Sequence, residues 1–511
     1  MEKKIRVRFA PSPTGGLHLG GVRTALYNYL FSKQHKGSFI LRIEDTDQSR
    51  FVSGAEEYIY QTLSWCGLEP DESPLRGGPF GPYRQSERKK IYREYAERLV
   101  HTGHAYIAFD TPEELEAMRS THRTTANPSP QYDHHTRMHM RNSLTLAPLE
   151  TKKLLEDGTP HVIRIRMPDN ETLQLNDMIR GQVEFNTSLV DDKVLLKADN
   201  MPTYHLAVVV DDFLMQITHA FRGEEWLPSA PVHLLLWRYL FGEEKMPAWA
   251  HFPLILKPDG NGKLSKRDSD RLGIPIFAMD WKDPASGEII SGFREKGFLP
   301  EAFVNLLAVL GWNDGTEQEL FSITELVEKF SIERVHKAGA KFNYEKAKWF
   351  NQEWIRKISV EELSVAVRKI YHQYSLQIPD EIFLRSVILL IRERCHLLPE
   401  FYTQGRFFFE APQQWDTESI RTKWNVAKTT FFISYIEKFQ DISEWNAYNL
   451  ETVFKELAAL KQIKAGELQL PFRIMLVGEK SGPPVFDIAE LLGKTETSKR
   501  INKLLALTEN W

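Results

Sequence analysis

One histidine, His18, stands in a run otherwise made of proline, glycine and small residues: PSPTGGLHLGG, from Pro11 to Gly21. Glycines let a nucleotide come close to the backbone. An imidazole beside phosphate oxygens can donate a hydrogen bond to the charge that grows there in a transition state. Two familiar phosphate-binding patterns are absent: no G-x-x-x-x-G-K-[ST] follows Gly15 or Gly16, and no G-x-G-x-x-G occurs here. A tight strand-to-helix turn with an incidental histidine is the competing reading. A second run, KPDGNGKLSKR from Lys257 to Arg267, sets Lys257, Lys263, Lys266 and Arg267 on a glycine-rich loop. Alone it is a weak signal, for which a solvated charged turn is the commoner explanation.

The elements around the first run say where it must sit. Ile5-Arg6-Val7-Arg8-Phe9 alternates apolar and basic residues, which predicts a strand. Val22, Ala25, Leu26, Tyr29 and Leu30 recur at helical spacing and predict a helix over 20–34. Ser38 to Ile43 predicts a second strand. The loop then joins strand to helix in a βαβ unit, where ligands bind at the carboxyl ends of the strands. The helical segment's first N–H groups and its dipole would face an anion there.

Further along, helices are expected over 53–66 and 86–102. The stretch 111–200 changes character: Thr124 to Arg141 is polar with little periodicity, and His161 to Met167 is strand-like. It reads as an insertion with its own small fold. The α/β pattern resumes at Tyr204, with an apolar run from His205 to Val210 that ends at Asp211-Asp212. After about 325 the chain is helix-rich, as over 361–374, 380–398 and 489–507. Neither a repeat nor a low-complexity segment is visible.

Composition narrows the class. At 511 residues the chain exceeds one hydrophobic core, so several domains are expected. An apolar content of 42%, a charged content of 26% and a net charge of −4 describe an ordinary globular chain. That charge neither announces nor excludes a nucleic-acid partner, because local patches decide. Cys66 and Cys395 are the only cysteines, so no disulfide framework exists and a reducing, cytoplasmic compartment is expected. No apolar run approaches the ~18 residues of a membrane span, and the first residues lack a signal-peptide pattern.

Together the two loops resemble the paired signatures of class I aminoacyl-tRNA synthetases. The HIGH motif corresponds to His18-Leu19-Gly20-Gly21 and the KMSKS motif to Lys263 to Arg267. The last HIGH position holds Gly21, so one histidine serves alone. The resemblance extends to bacterial-type glutamyl-tRNA synthetase through FAPSPTGGLHLGGVRTALYNYLF, LRIEDTD, PYRQSER, PTYHLAVVVDD, FRGEEWLPSAP and FPLILKPDGNGKLSKRD. It continues in GFLPEAFVNLLAVLGW, FNYEKAKWFNQEWI and GPPVFDIAELLGK, and so covers nearly the whole chain.

That family resemblance implies an α/β fold: a Rossmann-like catalytic domain with an α+β insertion, followed by all-α anticodon-binding domains. The expected boundaries are 1–110 and 201–255 for the two catalytic halves and 111–200 for an acceptor-end-binding insertion. A KMSKS-type and stem-contact region follows at 256–325, and a helical region at 326–511. The implied reaction joins glutamate to the 3′ end of its tRNA through glutamyl-adenylate, with ATP as substrate and Mg²⁺ accompanying it. His18, Lys263, Ser265 and Lys266 are the implied catalytic groups. Thr14, Gly16, His18, Gly20, Trp226 and Lys266 are implied to contact ATP. Arg8, Ser12, Glu44, Tyr204 and Arg222 are implied to bind glutamate, whose two carboxylates suit guanidinium forks. Which arginine takes the side-chain carboxylate stays open.

Val208 stands where some relatives carry asparagine, which removes a polar contact. Tyr132-Asp133 matches a pair in relatives, and Arg164 and Arg166 are candidate phosphate contacts or a solvated strand face. His134, His135 and His139 invite a zinc reading, but structural zinc recruits cysteines at short spacing and none lies here, so no metal site is expected. The expected partners are the glutamate tRNA, with the glutamine tRNA left open, and no membrane; a monomer is expected. Glutaminyl-tRNA synthetase, a small nucleotidyltransferase and a non-catalytic RNA-binding relative remain as rivals.

Overall fold

In the computed structural model the described residues are 4–508 except 126, 261 and 285, and the Lys266 side chain is also outside the described residues. Two compact units result. One comprises Met1–Glu295 and Phe303–Tyr344, the other Lys296–Ala302 and Glu345–Trp511.

The first unit is built on a six-stranded sheet. Its strands are β1 (Arg6–Phe9), β2 (Ser38–Leu41), β5 (Thr172–Asp177), β6 (Gly181–Asn186), β8 (His219–Gly223) and β9 (Ala248–Phe252), in the order β2-β1-β8-β9-β5-β6. All neighbours run parallel except β5 and β6, which form an antiparallel hairpin. β1 and β2 are buried at every residue, as a parallel sheet covered on both faces requires. Helix α1 (Leu19–Gln34) makes the crossover between them and buries Leu19, Val22, Ala25, Leu26 and Leu30. The expected strand-helix-strand unit is therefore present within a residue or two of its anticipated bounds. Helices α2 (Ala55–Trp65) and α3 (Lys89–His101) also stand where the periodicity put them.

The stretch 111–200 is split. β3 (Ala105–Ala108), β4 (Val162–Ile165) and β7 (Val194–Leu196) form a separate three-stranded sheet. With α4 (Pro112–His122) and α5 (Pro148–Glu156) nearby in sequence, it has a satellite core of Tyr106, Ala108, Met118, Tyr132 and Met140. The β5–β6 hairpin instead extends the main sheet through Asp177 and Trp249. Its buried residues alternate, and Leu173 and Leu175 enter the main core. The run after Tyr204 is helix α6 (Tyr204–Leu214), followed by β8 and α7 (Ala230–Leu240).

The second unit is helical. The helices anticipated over 361–374 and 489–507 occur as Val360–Gln373 and Val485–Thr508, the latter interrupted at Gly493, where φ is 76°. The helix anticipated over 380–398 stops earlier, at Glu381–Ile391.

Candidate active site

The carboxyl ends of β1, β2, β8 and β9 open onto one cavity of about 820 Å³. The loop Pro11 to Gly21 forms one wall. Of its implied ligand contacts, Ser12, Thr14, Gly16, His18 and Gly20 all line the cavity. His18 caps α1 and pairs across to Phe277, whose ring centroid lies 4.6 Å away. The first turn of α1 holds no acidic residue, which suits an anion at its N-terminus. The His18 ring is accessible from the cavity yet largely surrounded by protein. That burial, with Lys263 nearby, pushes its pKa down to about 4. At neutral pH it is an uncharged imidazole with one N–H to give. Gly16 is required by packing: a Cβ there would lie 2.9 Å from ring carbons of Phe277 and Trp281.

Glu44 follows β2 and Arg8 lies within β1, and both reach the cavity floor. Arg8 is held from behind. Its Nε donates to Asp212 Oδ1 at 3.0 Å, and its Nη1 donates to the Phe221 carbonyl at 3.1 Å. The wholly buried Arg42 donates to the same Asp212 Oδ1 at 2.7 Å and to Glu44 Oε1 at 2.8 Å. Burial pushes the Glu44 carboxyl up despite Arg42 and Arg8. Burial acts the same way on Asp212, but Arg8 and Arg42 outweigh it and hold that carboxyl below the usual range. The neighbouring Asp211 takes Arg88 Nε at 2.7 Å, Gln85 Nε2 at 2.9 Å and Tyr92 Oη at 2.8 Å.

Arg222, at the end of β8, is 7% exposed. Its Nη1 donates to Tyr204 Oη at 2.9 Å and to His233 Nδ1 at 3.1 Å, and its Nε donates to His251 Nε2 at 3.0 Å. Its Nη2 is buried and has no hydrogen-bond partner among the described residues. A guanidinium so enclosed, with one face of its fork unmet beside a cavity, is placed to receive a carboxylate. Tyr204 and Trp226 line the same cavity with ring centroids 4.5 Å apart. Val208 lines it too, an apolar surface at the position that differs from some relatives.

From the second loop, Lys263 and Ser265 line the cavity. Lys263 Nζ is 3.0 Å from Glu225 Oε1. The Ser265 hydroxyl donates to Asp268 Oδ2 at 2.6 Å, so it also serves to open α8 (Lys266–Leu272). Of the expected groups, only the Lys266 side chain falls outside the described residues. Arg267 is exposed.

In the insertion, Arg164 is buried, donates to the Asp192 carbonyl at 3.0 Å and lies 4.1 Å over the Tyr132 ring, whereas Arg166 is exposed. The buried member of that pair is thus a structural residue. Among the described residues no group of three His, Cys, Asp or Glu side chains could hold a metal ion.

Sequence reading missed Arg42, Asp177, Asp211, Asp212, His233 and His251. Their signal was present. Adjacent acids at the end of an apolar helical run, and single histidines inside VHLLLW and WAHF, must find partners when buried.

Comparison with known proteins identifies the family. Residues 4–349 match the family model described as tRNA synthetases class I (E and Q), catalytic domain, and residues 343–505 match an anticodon binding domain. The chain therefore belongs to the class I tRNA synthetases. Within them it belongs to the glutamate–tRNA ligases. It is 50% identical over 509 residues to the glutamate–tRNA ligase of Cytophaga hutchinsonii, covering 99% of this chain and 98% of that one. It is 51% identical over 506 residues to that of Flavobacterium johnsoniae, covering 99% and 100%. The crystal structure of a glutamate tRNA ligase from Elizabethkingia meningosepticum in complex with its amino acid superposes with a TM-score of 0.95 at 46% identity, covering 99% of each chain.

Proposed function

We propose that the chain activates glutamate with ATP and transfers it to the 3′ end of the glutamate tRNA. The observation that carries the reading is the buried, unpartnered Arg222 Nη2 in the cavity walled by the His18 loop. In the first step a glutamate α-carboxylate oxygen attacks the α-phosphorus of ATP in line. The new O–P bond forms as the bond to pyrophosphate breaks. In the second, a ribose hydroxyl of the terminal adenosine attacks the carbonyl of the mixed anhydride and AMP leaves.

Neither step calls for a protein nucleophile, so positioning and charge stabilisation supply the catalysis. Arg222 takes the side-chain carboxylate, because the phenol and the two imidazoles that hold it carry no charge, whereas Arg8 is already paired with the Asp212 carboxylate. Glu44 meets the ammonium, with Ser12, Tyr204 and Arg8 completing the pocket. His18 gives its N–H to a phosphate oxygen, and Lys263 and Lys266 offset charge on the phosphates. Ser265 orients the loop that bears them. Thr14, Gly16, Gly20 and Trp226 frame the nucleotide. Mg²⁺ enters with ATP, bound to its phosphates.

The sheet of β3, β4 and β7 is assigned to the acceptor end of the tRNA, and the helical region from about 326 to the anticodon. No described helix is long and apolar enough to cross a membrane, and a cytoplasmic site of action is part of the proposal.

The test is charging of purified glutamate and glutamine tRNAs with labelled glutamate and MgATP. Charging of the glutamate tRNA alone supports a discriminating enzyme. Charging of both assigns a broader tRNA choice, and charging of neither overturns the proposal.

A further inference from the structure

Behind Arg222 lies a buried polar chain that none of the proposed substrate contacts includes. Its first link is His251, fully buried on β9, whose Nε2 accepts from Arg222 Nε at 3.0 Å. The ring's other nitrogen, Nδ1, faces Asp177 Oδ2 at 2.6 Å. Since Nε2 must accept, the proton is on Nδ1 and is donated to Asp177. Asp177 is itself fixed at the tip of the β5–β6 hairpin, where its Oδ1 accepts from the N–H groups of Ile179 and Arg180, each at 2.9 Å. On the other side, His233 Nδ1 accepts from Arg222 Nη1, and its Nε2 lies 3.2 Å from His205 Nδ1. The Trp249 ring centroid is 4.8 Å from the guanidinium carbon.

We propose that Asp177, His251 and His233 are positioning residues for glutamate recognition: the two uncharged imidazoles accept from Arg222 and fix its plane, Asp177 fixes the tautomer of His251, and Nη2 alone is left for the substrate carboxylate. The inference rests on the reading of Arg222 given above. Three features support it. Each acceptor takes a different Arg222 hydrogen, so the guanidinium cannot rotate without breaking one. Both imidazoles are held uncharged, His251 chiefly by burial and by Arg222 against the pull of Asp177, and His233 by burial and by Arg222. A charged ring would present a donor to a donor. Finally, among the described residues no carboxylate touches Arg222 directly, so its charge reaches Asp177 only through an imidazole and is not neutralised before substrate arrives.

An amide ligand would leave the one open N–H pair of Arg222 without its carboxylate, a buried mismatch that discriminates strongly. The hairpin that β5 and β6 add to the sheet is thereby assigned a role in amino-acid choice, by way of Asp177.

The test is steady-state charging of the glutamate tRNA by the full chain, with glutamate and ATP varied in turn. His251→Leu strands Arg222 Nε and is expected to raise KM for glutamate about tenfold or more, with KM for ATP unchanged. His251→Gln, whose side-chain oxygen can still accept from Nε, is expected to restore most of that loss. Asp177→Asn gives the same selective rise, because an amide donor toward His251 favours the wrong tautomer; it is the working variant should His251→Leu not fold. If KM for both substrates and kcat move together, or if Gln is as harmful as Leu, the residues are merely structural and the inference is overturned. Arg222→Met separates the two levels. If it leaves KM for glutamate unchanged, the reading of Arg222 itself fails. If it raises KM while His251→Leu and Asp177→Asn do not, only the positioning role fails.

Discussion

Asp212→Asn removes one charge from the most enclosed electrostatic cluster next to the cavity. Asp212 Oδ1 accepts from Arg8 at 3.0 Å and from Arg42 at 2.7 Å, and the three side chains are 5%, 4% and 0% exposed. At these separations and an effective dielectric of about 20, each pair is worth roughly 5–6 kcal/mol of attraction. Replacing the carboxylate also relieves its own desolvation, which offsets several kcal/mol. Asparagine keeps one carbonyl acceptor in nearly the same place. The net loss expected is about 3–5 kcal/mol, a large share of the roughly 5–15 kcal/mol that holds a domain folded. Urea unfolding of variant and parent at pH 7 reads the loss in the first transition. The double variant Arg8→Met/Asp212→Asn should lose less than the sum of the two single ones, since Asp212 no longer has Arg8 to anchor. KM for glutamate should rise as well, because Arg8 loses its brace. A loss under about 1 kcal/mol, with additive single effects, would refute the reasoning: the cluster would then be no more than a solvated ion pair.

His18→Ala removes the N–H expected on a phosphate oxygen and should slow charging by about 10²–10³ in kcat with little change in KM for glutamate; a fall under tenfold counts against that role. Gly16→Ala drives a Cβ to 2.9 Å from Phe277 and Trp281. It is expected to cost about 1–3 kcal/mol and to reduce charging, whereas unchanged urea midpoints would show that the rings yield. Acid stability follows from His205, whose pKa is pushed down to about 4 from 6.5, first by burial. The unfolded chain binds a proton there before the folded one does, so stability is complete above 6.5 and falls as pH drops from 6.5 towards 4. The expected slope is up to about 1.4 kcal/mol per pH unit. His205→Gln should flatten the slope measured by urea midpoints across that window, and an unaltered slope excludes His205 as its source.

The sequence located β1, α1 and β2 because their apolar residues cluster or recur locally, although the alternation in β1 did not foretell that Arg6 and Arg8 would be buried too. The same logic failed for the stretch 111–200. Its β5–β6 hairpin joins β9 through Asp177 and Trp249, a pairing between residues far apart in the chain that no local period encodes. Likewise, the helix from Glu381 ends at Ile391 although the apolar pattern continues to Leu398.

The His18 loop, its flanking strand and helix, and the basic loop around Lys263 were determined by the sequence alone, since residue type and short spacing decide what a turn before a helix can bind. The family resemblance then gathered Arg8, Glu44, Tyr204 and Arg222 into one expected pocket. Only the tertiary structure decided how the two arginines differ. Arg8 is claimed by Asp212, 204 positions away in the chain, while Arg222 is ringed by neutral acceptors and keeps Nη2 unmet. A guanidinium's role depends on which of its hydrogens are already taken, and those partners arrive from β5, α6, α7 and β9, elements that meet only when the sheet closes.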